Sequence, residues 1–94
     1  MEKDNTRYLV DSLSFAELQK AGKLMQLLHG KEKIYPFSDE ALNRKKSDLW
    51  QREMFVNYFA SLDVEKNPII VTAIEASFLA IVTTLKYNSL KNHI

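Results

Sequence analysis

The sequence predicts an all-α protein, a small compact bundle of three or four helices in one domain, residues 1–94. Three observations carry this. Only two glycines and two prolines occur in 94 residues, too few for the tight turns of an all-β chain. Apolar residues recur at three- and four-residue steps over long stretches. Two helix start signals are present, Ser14 with Glu17 and Asn67 with Pro68.

Residues 1–12 are polar except for Tyr8, Leu9 and Val10. They fit either a short helix capped by Asn5 or a flexible or docking arm. The next segment is better specified. Ser14 and Glu17 have the spacing of a capping box, in which each side chain satisfies the other's orphan backbone N–H. Leu13 and Leu18 stand at the hydrophobic-staple positions. Leu18, Ala21, Met25 and Leu28 then form an apolar row with Leu24 beside it, and Gly30 tolerates the left-handed conformation that closes a helix. A helix over 15–29 follows.

Residues 30–38 read as a connector, with Pro36 holding Tyr35 extended. Ser38 is the next N-cap candidate, and Asp39 and Glu40 occupy the first turn, where the helix dipole favours acids. From there to Leu62 the pattern is helical, as one helix or as two segments, 39–46 and 49–62, with Asp48 and Gln51 at box spacing. Asp63–Asn67 reads as a polar turn. Asn67 as N-cap and Pro68 at the first helical position then open a last helix, 68 to about 88.

Composition excludes more functions than it suggests. No cysteine is present, which removes disulfide scaffolds and thiolate chemistry. Thirteen basic residues against twelve acidic ones leave a net charge of +1, too weak a field to hold nucleic acid by bulk electrostatics. The first residues carry no apolar run behind their charges, so a signal peptide is not expected and the cytoplasm is the expected location. Gly22 and Gly30 are too few and too far apart for a phosphate-binding loop. His29 and His93 do not cluster with other ligands, so no metal, cofactor or catalytic residue is expected, and the chain reads as a non-enzyme. His29 is most simply a basic residue in a last helical turn, where the dipole suits it.

Two features remain as candidate sites. Arg44, Lys45 and Lys46, with Arg52 further along, form the single basic cluster. It could take an anion, though interleaved Asp39, Glu40, Asp48 and Glu53 dilute it and a solvated helix face is the simpler explanation. Tyr35 and Phe37 put aromatics on the connector, to cap one end of the bundle or to anchor a partner.

The apolar distribution is the more telling feature. On 49–62, Trp50, Met54, Tyr58 and Leu62 cover one side, Phe55 and Phe59 point elsewhere, and Leu49 and Val56 elsewhere again. Gln51, Arg52, Glu53, Asn57 and Ser61 are the polar residues. The last helix is wider still. Ile70, Ile74, Phe78, Ile81 and Leu85 make one face, Ala73, Ala76 and Ala80 a small-residue face, and Val71, Leu79 and Val82 a third. Glu75 is the only charge between Lys66 and Lys86, and reads either as a buried paired acid or as part of a polar edge.

A surface helix normally has one apolar stripe, and a bundle this small surrounds one helix fully but hardly two. The surplus predicts a homo-oligomer whose interface uses parts of 49–62 and 68–85, and Tyr35, Phe37, Trp50, Phe55, Tyr58 and Phe59 are the candidate partner-binding residues. The run 68–85 is at the lower edge of membrane-spanning length, with Glu75 inside it and no aromatic belt, so membrane insertion is disfavoured.

The stretch from Thr72-Ala73-Ile74-Glu75 to Leu85 is similar to the last helix of phage helical-hairpin proteins that sequester cyclic nucleotides in oligomer pockets. The shared residues are generic to helices. The small cysteine-free bundle is similar to bacteriocin immunity proteins in architecture alone. Neither resemblance assigns a family. The expectation is a non-enzymatic oligomeric regulator or inhibitor that binds a protein partner, ahead of a nucleotide or nucleic-acid binder using 44–52 and a membrane-associated protein using 68–85.

Overall fold

The computed structural model describes residues 3–29, 37–38, 42, 48–62 and 67–92. Of these, 93% are helical and none is in a strand. Among the described residues four helices follow in order: α1 (Lys3–Asp11), α2 (Phe15–His29), α3 (Asp48–Ser61) and α4 (Pro68–Asn92). α1 packs on α3 and α2 on α4. The radius of gyration is 12.9 Å, close to the ~12–13 Å of a compact chain of this length.

Within the first twelve residues Lys3–Asp11 form a packed helix. Asn5 lies inside α1, not at its cap, because the helix already begins at Lys3. Val10 is buried, and Arg7 holds Glu53 of α3 with two bonds, Nη1 to Oε1 at 2.7 Å and Nη2 to Oε2 at 3.2 Å. The end of α1 is closed from other helices. Arg52 donates to the Val10 carbonyl at 2.8 Å, and Lys86 Nζ donates to the Ser12 carbonyl at 2.9 Å. Cations suit this position because the last carbonyls of a helix lack partners and carry the negative end of its dipole.

α2 opens as the capping box requires. The Ser14 N–H donates to Glu17 Oε1 at 2.8 Å, and the Glu17 N–H to Ser14 Oγ at 3.1 Å. Leu13 and Leu18 are both buried at the staple positions. The inward row is Leu18, Ala21, Gly22 and Met25. Leu28, expected on that row, is 61% exposed, because the buried side turns toward Gly22 where α2 meets its neighbours. A Cβ on Gly22 would lie 2.6 Å from Leu42 Cδ2 and 3.3 Å from Phe55 Cζ, so the missing side chain allows this approach.

α3 supplies the centre of the core. Gln51, Phe55, Val56 and Phe59 are buried. Gln51 belongs to the residues read as polar surface and is instead enclosed, since it precedes Phe55 by one helical turn on the inward face. Phe37, Phe55, Tyr58, Phe59 and Phe78 form a ring cluster. Phe37 meets Phe55 edge-on at 4.7 Å, and Phe59 meets Phe78 at 4.5 Å with a tilt of 37°. Such pairs add roughly 0.5–1.5 kcal/mol each beyond area burial. Gln26 of α2 donates to the Phe37 carbonyl at 3.1 Å and so holds this residue from the other side. The Leu42 N–H donates to the Ser38 carbonyl at 2.9 Å, a helical turn where Ser38 was read as a cap. Gly30, Asp39, Glu40, the choice between one helix and two over 39–62, the turn 63–66 and His93 lie outside the described residues.

Candidate functional site: the outer face of the last helix

α4 starts where its sequence says it should. Asn67 Oδ1 accepts the N–H groups of Ile69 and Ile70 at 3.0 and 3.3 Å, and Pro68, which has no N–H to leave unpaired, takes the first helical position. The helix runs to Asn92, beyond the expected 88, because no glycine or proline interrupts it. Its 25 residues span about 37 Å, most of the 44 Å long axis of the molecule.

Two opposite sides of α4 are apolar. Ile74, Phe78, Ile81 and Val82 are buried, with Val71 and Leu85 packed against them. On the other side Ile69, Ala73, Ala76, Ala80, Thr83, Tyr87 and Leu90 follow one another at alternating steps of four and three. This is the 3.5-residue repeat of a helix–helix seam. All seven are exposed, and Ile69, Tyr87 and Leu90 show 79%, 64% and 67% of their surface. Leu79 flanks the row, half exposed. Pro68, Ile69, Thr72, Ala73 and Ala76 line a shallow apolar groove at its start.

The polar groups on and beside this face are largely spent within the helix. Thr83 Oγ1 donates to the Leu79 carbonyl and Ser77 Oγ to the Ala73 carbonyl, both at 2.8 Å. Lys86 leans back to Ser12, and Glu75 is half-buried, between the two readings made for it. The face therefore offers methyl groups and a ring, with the exposed hydroxyls of Thr72 and Tyr87 as its open hydrogen-bonding groups.

The residues singled out in the sequence are placed differently. Phe37, Phe55 and Phe59 are fully buried in the ring cluster, so they are core and do not reach a partner as the monomer stands. Tyr58 is half-buried within the ring cluster, Trp50 is half-buried elsewhere on α3, and Tyr35 lies outside the described residues. Arg52 is held by Asp48, Nε to Oδ1 at 2.7 Å, as well as by the Val10 carbonyl. The guanidinium binds inward instead of facing an anion. Arg44, Lys45 and Lys46 lie outside the described residues. Among the described residues no group of three or more His, Cys, Asp or Glu side chains could hold a metal. The Nε2 atom of His29 is enclosed without a hydrogen-bond partner.

Ile69, Tyr87 and Leu90 are the site residues that sequence reading missed. The four-three spacing from Ile69 onward was a usable signal. It was obscured because the small-residue face was grouped from its alanines alone and the helix was ended before Leu90. No family model, curated protein or solved structure matches the chain.

Proposed function

We propose that the chain is a non-enzymatic helical binding protein, a small homo-oligomeric regulator or inhibitor that acts through protein–protein contacts. The observation that carries this reading is the second apolar side of α4. A single helix presents a row about 32 Å long, from Ile69 to Leu90, that no other part of the described chain covers. Exposed apolar surface of this continuity is costly in water and marks a contact surface on a soluble protein. Sedimentation equilibrium from 1 to 100 µM tests it. Concentration-dependent association supports the reading, and a monomer mass throughout that range overturns it.

A second reading has one specific observation in its favour. Pro68–Lys91 is long and apolar enough to cross a membrane, and only 22% of its most apolar window is buried. Against it stand Phe78, fully enclosed among the rings of α3, and Glu75 within the span. Lipid exposure of α4 would strip the core of its largest contribution from this helix. Co-flotation of the purified protein with liposomes would favour the membrane reading over the soluble one. The nucleic-acid reading draws no support from Arg52, whose guanidinium is already bound.

A further inference from the structure

We infer that the outer face of α4 is a self-association seam, closed by the same face of a second copy running antiparallel about a two-fold axis beside Ala80. This rests on the homo-oligomer reading and adds to it the surface, the direction and the register.

The size order of the row argues for the second copy. Its middle is small, Ala73, Ala76, Ala80 and Thr83, and its ends are large, Ile69 at one and Tyr87 and Leu90 at the other. In an antiparallel pair centred near Ala80, Ala80 faces its own copy and Ala76 faces the partner's Thr83. Ala73 then faces the partner's Tyr87, and Ile69 the partner's Leu90. The bulky ring falls opposite a methyl group, so the two axes can stay near the close end of the 8–10 Å range. A parallel pair sets Tyr87 against Tyr87 and Ala80 against Ala80, which pushes the axes apart at one end and leaves a gap in the middle. Antiparallel helices also align their dipoles favourably.

Area and polarity agree with this occupant. From the exposures of Ile69, Leu79, Tyr87 and Leu90 with the alanines between them, the row offers on the order of 700 Å² per copy, near the ~800 Å² per partner of a standard interface. Thr83 and Ser77 already hydrogen-bond to their own helix, so drying the face strands neither of these hydroxyls, and the hydroxyls of Thr72 and Tyr87 have to keep water or find a partner at the seam's edge. The core of each protomer lies on the opposite side of α4, so two copies meet without collision of their bodies. A lipid surface is the poorer fit. A helix lying on a membrane sets large apolar residues between flanking Lys and Arg, whereas this face is centred on alanine and only Lys91 follows it on the exposed side.

The absence of cysteine makes the register directly testable in the full chain. Single variants Ala80→Cys, Ala76→Cys and Thr83→Cys are treated with a short bis-maleimide cross-linker at 100 µM, singly and mixed, beside sedimentation of the unmodified protein. The expected result is a dimer in which Ala80→Cys cross-links to itself. Ala76→Cys and Thr83→Cys then cross-link strongly when mixed and weakly alone. Cross-linking of every single variant alone would overturn the antiparallel register. A dimer by sedimentation with no cross-link from any α4 variant would overturn the seam while leaving the homo-oligomer reading in place. A monomer throughout would overturn both. Liposome binding that the exposed-face substitution Ala76→Glu abolishes would assign the face to lipid and overturn the proposal. With the seam correct, Ala76→Glu weakens self-association at least tenfold and leaves the circular-dichroism spectrum unchanged.

Discussion

α3 and α4 have the same peculiarity in sequence and opposite fates in the structure. Both carry apolar residues on more than one side. In α3 most of the surplus is covered: Phe55, Val56 and Phe59 are enclosed, Tyr58 packs against the core, Trp50 and Met54 are half-buried, and Leu49 stays exposed. In α4 one side enters the core and the other remains outside from Ile69 to Leu90. The difference comes from neighbours. Phe37 and α1 cover α3 in addition to α4, whereas α4 has α2 and α3 on one side and nothing from the described chain on the other. Hydropathy measures what a helix would gain from cover, and the number of available partners decides what it receives.

The comparison can be broken at its strongest point first. Phe59→Ala removes a ring that touches both Phe37 and Phe78, and should cost about 3–5 kcal/mol in urea unfolding. A cost near zero would mean that α3 is not the centre of the core. Gly22→Val should come next, at about 1–3 kcal/mol of overpacking, because even a Cβ there crowds Leu42 and Phe55. Gly22→Ala should lie close to neutral by thermal melting, since the gain in helix propensity of roughly 1 kcal/mol offsets the crowding. Asn67→Ala leaves two N–H groups at the start of α4 without their side-chain acceptor, and should lower stability by about 1 kcal/mol.

Smaller effects sharpen the contrast. A double-mutant cycle on Arg7 and Glu53 should yield a coupling below about 1 kcal/mol. The pair is bidentate, but both side chains are about two-fifths exposed, so water screens it. Ala76→Glu on the outer face of α4 should change monomer stability by less than about 0.5 kcal/mol at low protein concentration. Phe59 and Ala76 thus separate folding from association. The first substitution should damage the fold, and the second should damage only contact between molecules.

Much of the fold was legible because it is local. The Ser14–Glu17 box and the Asn67 cap involve residues three apart or fewer, and their geometry follows from the backbone near them. The length of α4 was underestimated: its end is expected near 88, and with no glycine or proline to stop it the helix continues to Asn92. The inward turn of Gln51 and the outward one of Leu28 were not legible. Each depends on where a neighbouring helix crosses, and residue type alone ranks them the other way. Phe37 carried two readings, cap or anchor, and its burial between α2 and α3 decides for the core. Half of the candidate site was visible, as the alanine face. Its large end members emerge only once the helix is continuous through Leu90.

By itself, then, the sequence determined the helical class, the starts of α2 and α4, and the two-sided apolarity of α4. These follow from capping chemistry, scarce breakers and periodic spacing, all of which act over one or two turns. The tertiary structure decided which of the two sides is used. Both would gain from leaving water, but α2 and α3 come to the Ile74–Phe78–Ile81 side and, among the described residues, no helix covers the other. That leftover face exists because a small bundle has fewer covering surfaces than its last helix has sides to cover.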